Sequence, residues 1–154
     1  MTRPTLLCAD DDTAVRELYR ILLDSYGYDV IVAEDGYHAL KLFHANNVSA
    51  VILDYEMPGL RGSEVAAEIK RHNPDTPVLI VSGCQSVVED APRFVDAALA
   101  KGAPIARLLD KIETLLNVAR SQARRPSFAR EFVPLGSALA TVVMAAALIS
   151  RVWK

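Results

Sequence analysis

Cysteine is scarce in this sequence: Cys8 and Cys84 are the only two among 154 residues. Their separation fits no zinc or iron–sulfur motif, and no N-terminal signal peptide is recognisable. We therefore expect reduced thiols in a cytosolic domain, with a disulfide between the two as the alternative. The histidines are also few. We expect His38, His44 and His72 to be solvated side chains on helix surfaces, and we assign no metal to them.

Acidic residues are nearly missing after residue 118, where Glu131 stands alone against six Lys/Arg. Residues 1–118 have the opposite balance, with 18 Asp/Glu against 11 Lys/Arg. An acidic body followed by a basic tail predicts two parts with different partners. The length allows one compact domain with a short appendage, and an apolar content of 51% excludes a wholly disordered chain.

Short apolar runs alternate with segments of helical periodicity as far as residue 118. The predicted strands are Thr5–Ala9, Asp29–Ala33, Ser49–Asp54, Pro77–Ser82 and Ala97–Ala100. The predicted helices are Thr13–Ser25, Gly36–Asn46, Glu64–His72, Val87–Val95 and Pro104–Val118. Pro92 requires the fourth helix to be short, kinked or restarted. The alternation predicts an α/β fold, with a parallel sheet covered by helices on both faces.

Apolar residues at helical spacing indicate which face of each helix packs on the sheet. The residues predicted to face inward are Val15, Leu18, Leu22, Leu40, Phe43, Ile105, Leu108, Leu109, Ile112, and Leu115 or Leu116.

Polar residues follow the apolar strands at the points where ligands bind in such sheets, beyond the carboxyl ends. The residues at these ends are Asp10, Asp11 and Asp12 after the first strand, Asp54, Ser82, and Lys101. No glycine-rich phosphate loop follows the first strand, which argues against a nucleotide or flavin site. Clustered carboxylates repel one another unless a cation lies among them, and all-oxygen ligands suit Mg²⁺.

A carboxylate beside Mg²⁺ can attack phosphorus and form an aspartyl phosphate. Phosphoryl transfer needs charge neutralisation above all. The metal, the Lys101 ammonium, and the Ser82 hydroxyl with a backbone N–H would each cover one phosphoryl oxygen. An acidic triplet before a helix is otherwise a simple helix cap, and we interpret Asp12 as a solvated or a capping residue.

The segments LLCADDDTAVRELYRILL, AVILDYEMPGLRG, PVLIVSG and AALAKGAP resemble the receiver domains of bacterial two-component response regulators. The resemblance covers about residues 4–118. It implies a flavodoxin-like, doubly wound sheet of order 2-1-3-4-5 with five helices. It also implies that a histidine kinase or a phosphotransfer protein donates the phosphoryl group.

The same resemblance implies a role for each site residue. Asp54 would be the phosphoacceptor and a metal ligand, and Asp10 with Asp11 the acidic pair, Asp11 being a direct ligand. The backbone carbonyl of Glu56 would complete the Mg²⁺ contacts. Ser82 and Lys101 would contact the phosphoryl group. The protein would assist its own phosphorylation and dephosphorylation without being an enzyme in the metabolic sense.

The sequence departs from the family pattern near the fifth strand. Family members usually carry Tyr or Phe where Ala98 stands, and proline where Gly102 follows the lysine. We therefore expect signalling to use the loop after Ser82 and a mobile fourth helix. One alternative is an interaction module that kept the fold and lost switching. Another is a Mg²⁺-dependent phosphohydrolase, which Glu56 opposes because such enzymes usually carry a second aspartate there.

The tail begins with a basic linker at 119–131. Residues 132–150, FVPLGSALATVVMAAALIS, contain no charge. Their length nearly matches the hydrocarbon core, so we predict a transmembrane helix. The arginines of the linker place the receiver, residues 1–118, at the cytoplasmic face of the cell membrane. The alternatives are a cytoplasmic protein and a helix packed on a protein partner.

Small residues at four-residue spacing, such as Gly136 and Ala140, would allow a homodimer of these helices. The tail is too short and has the wrong composition for a DNA-binding domain, so we expect no nucleic-acid partner.

Overall fold

The computed structural model describes residues 2–89 and 93–123, which form five parallel strands and five helices. The strands are β1 (Thr5–Ala9), β2 (Asp29–Ala33), β3 (Ala50–Asp54), β4 (Val78–Ser82) and β5 (Ala97–Ala100). The helices are α1 (Thr13–Ser25), α2 (Gly36–Ala45), α3 (Gly62–His72), α4 (Gln85–Glu89) and α5 (Ile105–Ala123). The strand order β2-β1-β3-β4-β5 confirms the predicted doubly wound topology.

Helices cover both faces of the sheet, so alternate strand residues enter two separate cores. Leu7, Val51 and Ile80 pack in the core that includes residues of α2 and α3. Leu6 and Ile52 pack in the core that includes residues of α1 and α5. Both faces of β3 and β4 are therefore buried, which explains why these strands read as continuous apolar runs in the sequence.

Side-chain caps fix where the helices begin. The Asp12 carboxylate accepts a hydrogen bond from the Ala14 N–H at 2.7 Å, and the Asp35 carboxylate accepts one from the His38 N–H at 2.7 Å. Each cap satisfies an N–H that has no partner within its helix. At the start of α3 the Glu64 carboxylate accepts a hydrogen bond from the Arg61 N–H at 2.9 Å. Of the two interpretations of Asp12, the structure shows the capping one, and the residue is also exposed.

Two of the predicted inward faces are partly wrong. Leu18 is 53% exposed and Ile105 is 39% exposed, whereas Tyr19 and Leu23 are the buried residues of α1. The helix presents the neighbouring row of side chains to the sheet. Because both rows are apolar and both have helical spacing, the spacing alone could not tell them apart. Helix α5 also continues to Ala123, past the expected end at Val118, because no glycine or proline stops it there.

The packing of α2 beside α3 brings two of the three histidines together. The rings of His44 and His72 meet edge to face, with their centroids 4.5 Å apart. His44 and His72 are exposed, as expected, whereas the Nδ1 of His38 is buried without a hydrogen-bond partner among the described residues. Both cysteines are free, as expected, and the alternative of a disulfide is wrong.

Several predictions for the tail lie outside the described residues. They concern the transmembrane helix at 132–150, its pairing in a homodimer, and most of the linker at 119–131. Pro92 lies outside them as well. Among residues 2–89 and 93–123, no helix is both long enough and apolar enough to cross a membrane.

Gly62 is where the chain returns against the end of β3, and this contact predicts the effect of a substitution. A Cβ at this position would overlap the main-chain carbonyl oxygen of Asp54. We expect Gly62→Ala to lower the free energy of unfolding by about 2 kcal/mol in urea denaturation, because the strand end must shift.

Gly83→Ala is the matched control, since a Cβ there meets no atom within 4 Å. Its unfolding free energy should stay within about 0.5 kcal/mol of wild type. Alanine forms helices better than glycine by about 1 kcal/mol. A Gly62→Ala protein more stable than wild type would therefore show that the strand contact is unimportant.

Candidate functional site

The sheet register brings the predicted polar residues to one edge. Asp54 ends β3 and is aligned with Val81, and Ser82 ends β4 and is aligned with Ala100, the residue before Lys101. Asp10 follows β1, which is aligned with β3 up to Ala9. Because the strands are parallel, their carboxyl ends meet here, and the side chains collect at one edge.

Three carboxylates converge at this edge. One oxygen from each of Asp10, Asp11 and Asp54 lies within 4.8 Å of the other two. The Lys101 ammonium lies 2.8 Å from Asp54 Oδ2 and 3.3 Å from Asp10 Oδ2. When all four groups are ionised, one positive charge faces three negative charges. The site therefore keeps an excess of negative charge, which a further cation would neutralise.

Burial and charge act on these groups together. Asp10 and Asp54 are buried, whereas Asp11 is exposed. Burial raises the pKa of the Asp10 carboxyl above its ordinary value, although the Asp12 N–H and the Lys101 ammonium oppose this. Burial would lower the pKa of Lys101, but its hydrogen bond to Asp54 and the charges of both carboxylates outweigh burial and raise it. Lys101 is therefore held in its charged form.

The loops after β3 and β4 supply main-chain donors. The Glu56 N–H donates to Asp54 Oδ1 at 3.3 Å, and the Cys84 N–H donates to the Ser82 hydroxyl oxygen at 3.0 Å. The Glu56 side chain is exposed to solvent. A cavity of about 280 Å³ opens here, lined by Asp11, Asp54, Glu56, Gly83 and Lys101. It offers room beside Asp54 for a small charged group.

Ser82 lies at the same edge of the sheet as the other predicted site residues without joining their contacts. Its side chain is buried, and its hydroxyl accepts the hydrogen bond from the next loop. The direct contacts of the cluster thus join Asp10, Asp54 and Lys101, with Asp11 beside them.

The sequence of the chain identifies the family to which it belongs. A sequence model described as the response regulator receiver domain matches residues 6–113. This chain belongs to that family. The response regulator MprA of Mycobacterium sp. (strain KMS) is 38% identical over 114 residues, which cover 72% of this chain and 50% of MprA. The chain thus spans about half the length of the curated relatives it matches.

Solved receiver structures agree with the fold of this receiver. The response regulator TrrA of Thermotoga maritima, solved in complex with Mg²⁺-BeF, is 34% identical and has a TM-score of 0.69. The match covers 73% of this chain and 98% of TrrA. TrrA in complex with the histidine kinase ThkA gives a TM-score of 0.68 at the same identity and coverage.

The donor set of the receiver fits a hard divalent cation. All three converging side chains offer carboxylate oxygens, and no sulfur or imidazole lies among them. Oxygen ligands with open positions for water and phosphate are what Mg²⁺ takes in proteins. The cluster is therefore able to bind a metal ion and is consistent with Mg²⁺.

The sequence did not reveal that Arg16 belongs to the site. Its guanidinium donates hydrogen bonds to the carbonyl oxygens of Asp10 and Asp11, at 2.7 and 2.8 Å. A single arginine near the start of a helix looks like an ordinary surface residue. Its place five residues after Asp11 and six after Asp10 was the only available signal.

The acidic cluster predicts how single substitutions change cation binding. Asp11→Asn removes one of three carboxylates, and we expect it to weaken Mg²⁺ binding by at least about tenfold in isothermal titration calorimetry. Asp12→Asn makes the same change of charge one residue later and preserves the helix cap, because asparagine caps helices as well as aspartate does. It should keep wild-type affinity. Equal losses in the two variants would contradict a specific site at Asp11.

Proposed function

We propose that this receiver accepts a phosphoryl group on Asp54 from a histidine kinase or a phosphotransfer protein, with Mg²⁺ bound. The observation that carries the proposal is the position of Asp54. Its carboxylate is buried, contacts the Lys101 ammonium at 2.8 Å, and borders a cavity beside two further carboxylates.

Each step has a residue of this chain to carry it. A carboxylate oxygen of Asp54 attacks the phosphorus of a phosphohistidine, the O–P bond forms, and the P–N bond breaks with its electron pair returning to the imidazole. Asp11, Asp54 and the Glu56 carbonyl would hold Mg²⁺, which neutralises charge on the phosphoryl oxygens. Lys101 would move from the carboxylates to one phosphoryl oxygen. The Ser82 hydroxyl would donate to another.

The surface beside the site suits a protein donor. The donor's histidine must come close to Asp54, so the donor has to cover this edge of the sheet. Leu18, Ile21 and Ile105 are apolar and exposed on α1 and at the start of α5. A mostly apolar cavity of about 210 Å³ lies between these helices and reaches Lys101. Apolar surface of this kind marks interaction sites.

An interaction module without switching is the second candidate. Ala98 favours it, because the aromatic residue usual in the family is missing there. Alanine occupies three of the four positions of β5. The acidic cluster with its lysine opposes it, because a module that only binds partners needs neither. An assay of phosphorylation at Asp54 separates the two candidates.

Phosphorylation of the full chain tests the proposal. With Mg²⁺ and acetyl phosphate, we expect an acid-stable, base-labile phosphate that Asp54→Asn abolishes, because the amide cannot act as the nucleophile. Intact-protein mass spectrometry measures it. Asp110→Asn, on the exposed side of α5, should be phosphorylated like wild type. A wild-type protein that never gains the phosphate would favour the interaction module, and rapid turnover of many phosphoesters would favour a hydrolase.

We also propose that residues 132–150 anchor the receiver at the cytoplasmic face of the membrane. The support comes from the sequence: this segment is uncharged over the length of a bilayer span, and a basic linker precedes it. Anionic lipid would attract the same linker.

Membrane fractionation of the full chain tests the anchor. We expect the protein in the membrane pellet even at high salt. Val142→Arg should release much of it, because an arginine at the centre of a span costs about 3 kcal/mol. Ser150→Arg, at the end of the segment, should stay in the pellet. A wild-type chain that is wholly soluble at low salt would exclude the anchor, and release by salt alone would indicate attraction by the linker.

A further inference from the structure

The side chains of Asp10 and Asp11 converge although the two residues are consecutive. In an extended strand, successive side chains point to opposite faces. Here their carboxylates both lie within 4.8 Å of the Asp54 carboxylate. The Asp10 N–H still donates to the Ala33 carbonyl of the neighbouring strand at 3.2 Å, as a strand residue would. The backbone must therefore leave strand geometry directly after Asp10.

Two sets of hydrogen bonds hold this change of direction. In the first, the Asp12 N–H donates to Asp10 Oδ1 at 2.9 Å. In the second, a single nitrogen of Arg16, Nη1, donates to the carbonyl oxygens of both Asp10 and Asp11. Successive strand carbonyls also alternate in direction, so two that meet one nitrogen are held in a turn.

The guanidinium is itself fixed in place. Its other nitrogen, Nη2, donates to the Thr13 hydroxyl at 2.9 Å, and the Arg16 N–H continues the helix by donating to the Asp12 carbonyl at 3.1 Å. The side chain is half-buried. Arg16 thus ties the first turns of α1 back to the main chain of the acidic pair.

We propose that Arg16 is a positioning residue for the cation site, holding the Asp10–Asp11 turn so that both carboxylates face the metal. This inference rests on the Mg²⁺ site of the proposed function. Groups that orient metal ligands without touching the metal commonly change metal affinity by about 10- to 100-fold when removed.

Electrostatics alone predicts the opposite effect, which makes the proposal sharply testable. Arg16 carries a positive charge near the proposed Mg²⁺ site, and like charges repel. If the arginine acted only through its charge, its removal would tighten Mg²⁺ binding. If it acts by positioning, its removal weakens binding.

The experiment measures Mg²⁺ affinity in the full chain by isothermal titration calorimetry, without any phosphodonor. Arg16→Met removes the guanidinium and keeps the apolar stem, and we expect affinity to fall about tenfold. Arg16→Lys keeps the charge with a single donor group, so it should lose less. Arg20→Met is the control, because Arg20 pairs with Glu17 on the exposed side of the same helix.

A second measurement needs no metal. We expect amide hydrogen exchange at Asp12 and Ala14, whose N–H groups donate to the carboxylates of Asp10 and Asp12, to be faster in Arg16→Met than in wild type or Arg20→Met. A role in global stability alone would instead lower the melting temperature while Mg²⁺ affinity at 25 °C stayed unchanged. Circular dichroism at that temperature verifies that each variant is folded.

Unchanged or tighter Mg²⁺ binding in Arg16→Met, or unchanged exchange at the turn, would overturn the positioning role. Either result would leave the phosphoacceptor proposal standing, since Asp54→Asn tests that separately. A wild-type chain that binds no Mg²⁺ would instead remove the metal from both proposals.

Discussion

The Lys101 ammonium lies between two buried carboxylates, 2.8 Å from Asp54 and 3.3 Å from Asp10, and the site depends on this contact. Buried carboxylates this close to each other are unfavourable without positive charge between them. The lysine supplies one such charge, which leaves the site short of another. A buried carboxylate paired with a lysine, in a site that attracts a second cation, is suited to phosphoryl transfer, where charge must be neutralised.

The fold provides this arrangement through parallel register and close turns. Each strand of a parallel sheet ends at the same edge, so groups distant in sequence become neighbours without long loops. The turns are then fixed locally. Arg16 holds the main chain after β1, and the Gly62 N–H donates to the Tyr55 carbonyl at 2.9 Å after β3. Because Gly62 also packs on the Asp54 carbonyl, the position of Asp54 depends on the start of α3.

The sequence predicted the strands and the site edge well, because buried parallel strands are continuous apolar runs that stop at polar residues. It predicted the inner face of α1 less well. Leu18 and Leu22 form one apolar row and Tyr19 and Leu23 another, and spacing alone does not tell which row packs inward. The reach of Arg16 could not be predicted either, since periodicity describes where a side chain starts and not which atoms its end contacts.

A crystal structure of the protein with Mg²⁺ and beryllofluoride, which mimics a phosphoryl group on aspartate, tests the central claim most directly. We predict beryllofluoride on a carboxylate oxygen of Asp54, Mg²⁺ bound by Asp11, Asp54 and the Glu56 carbonyl, and Lys101 moved onto a fluorine. Beryllofluoride on another residue, or Lys101 still paired with both Asp10 and Asp54 while Mg²⁺ lies elsewhere, would contradict the account.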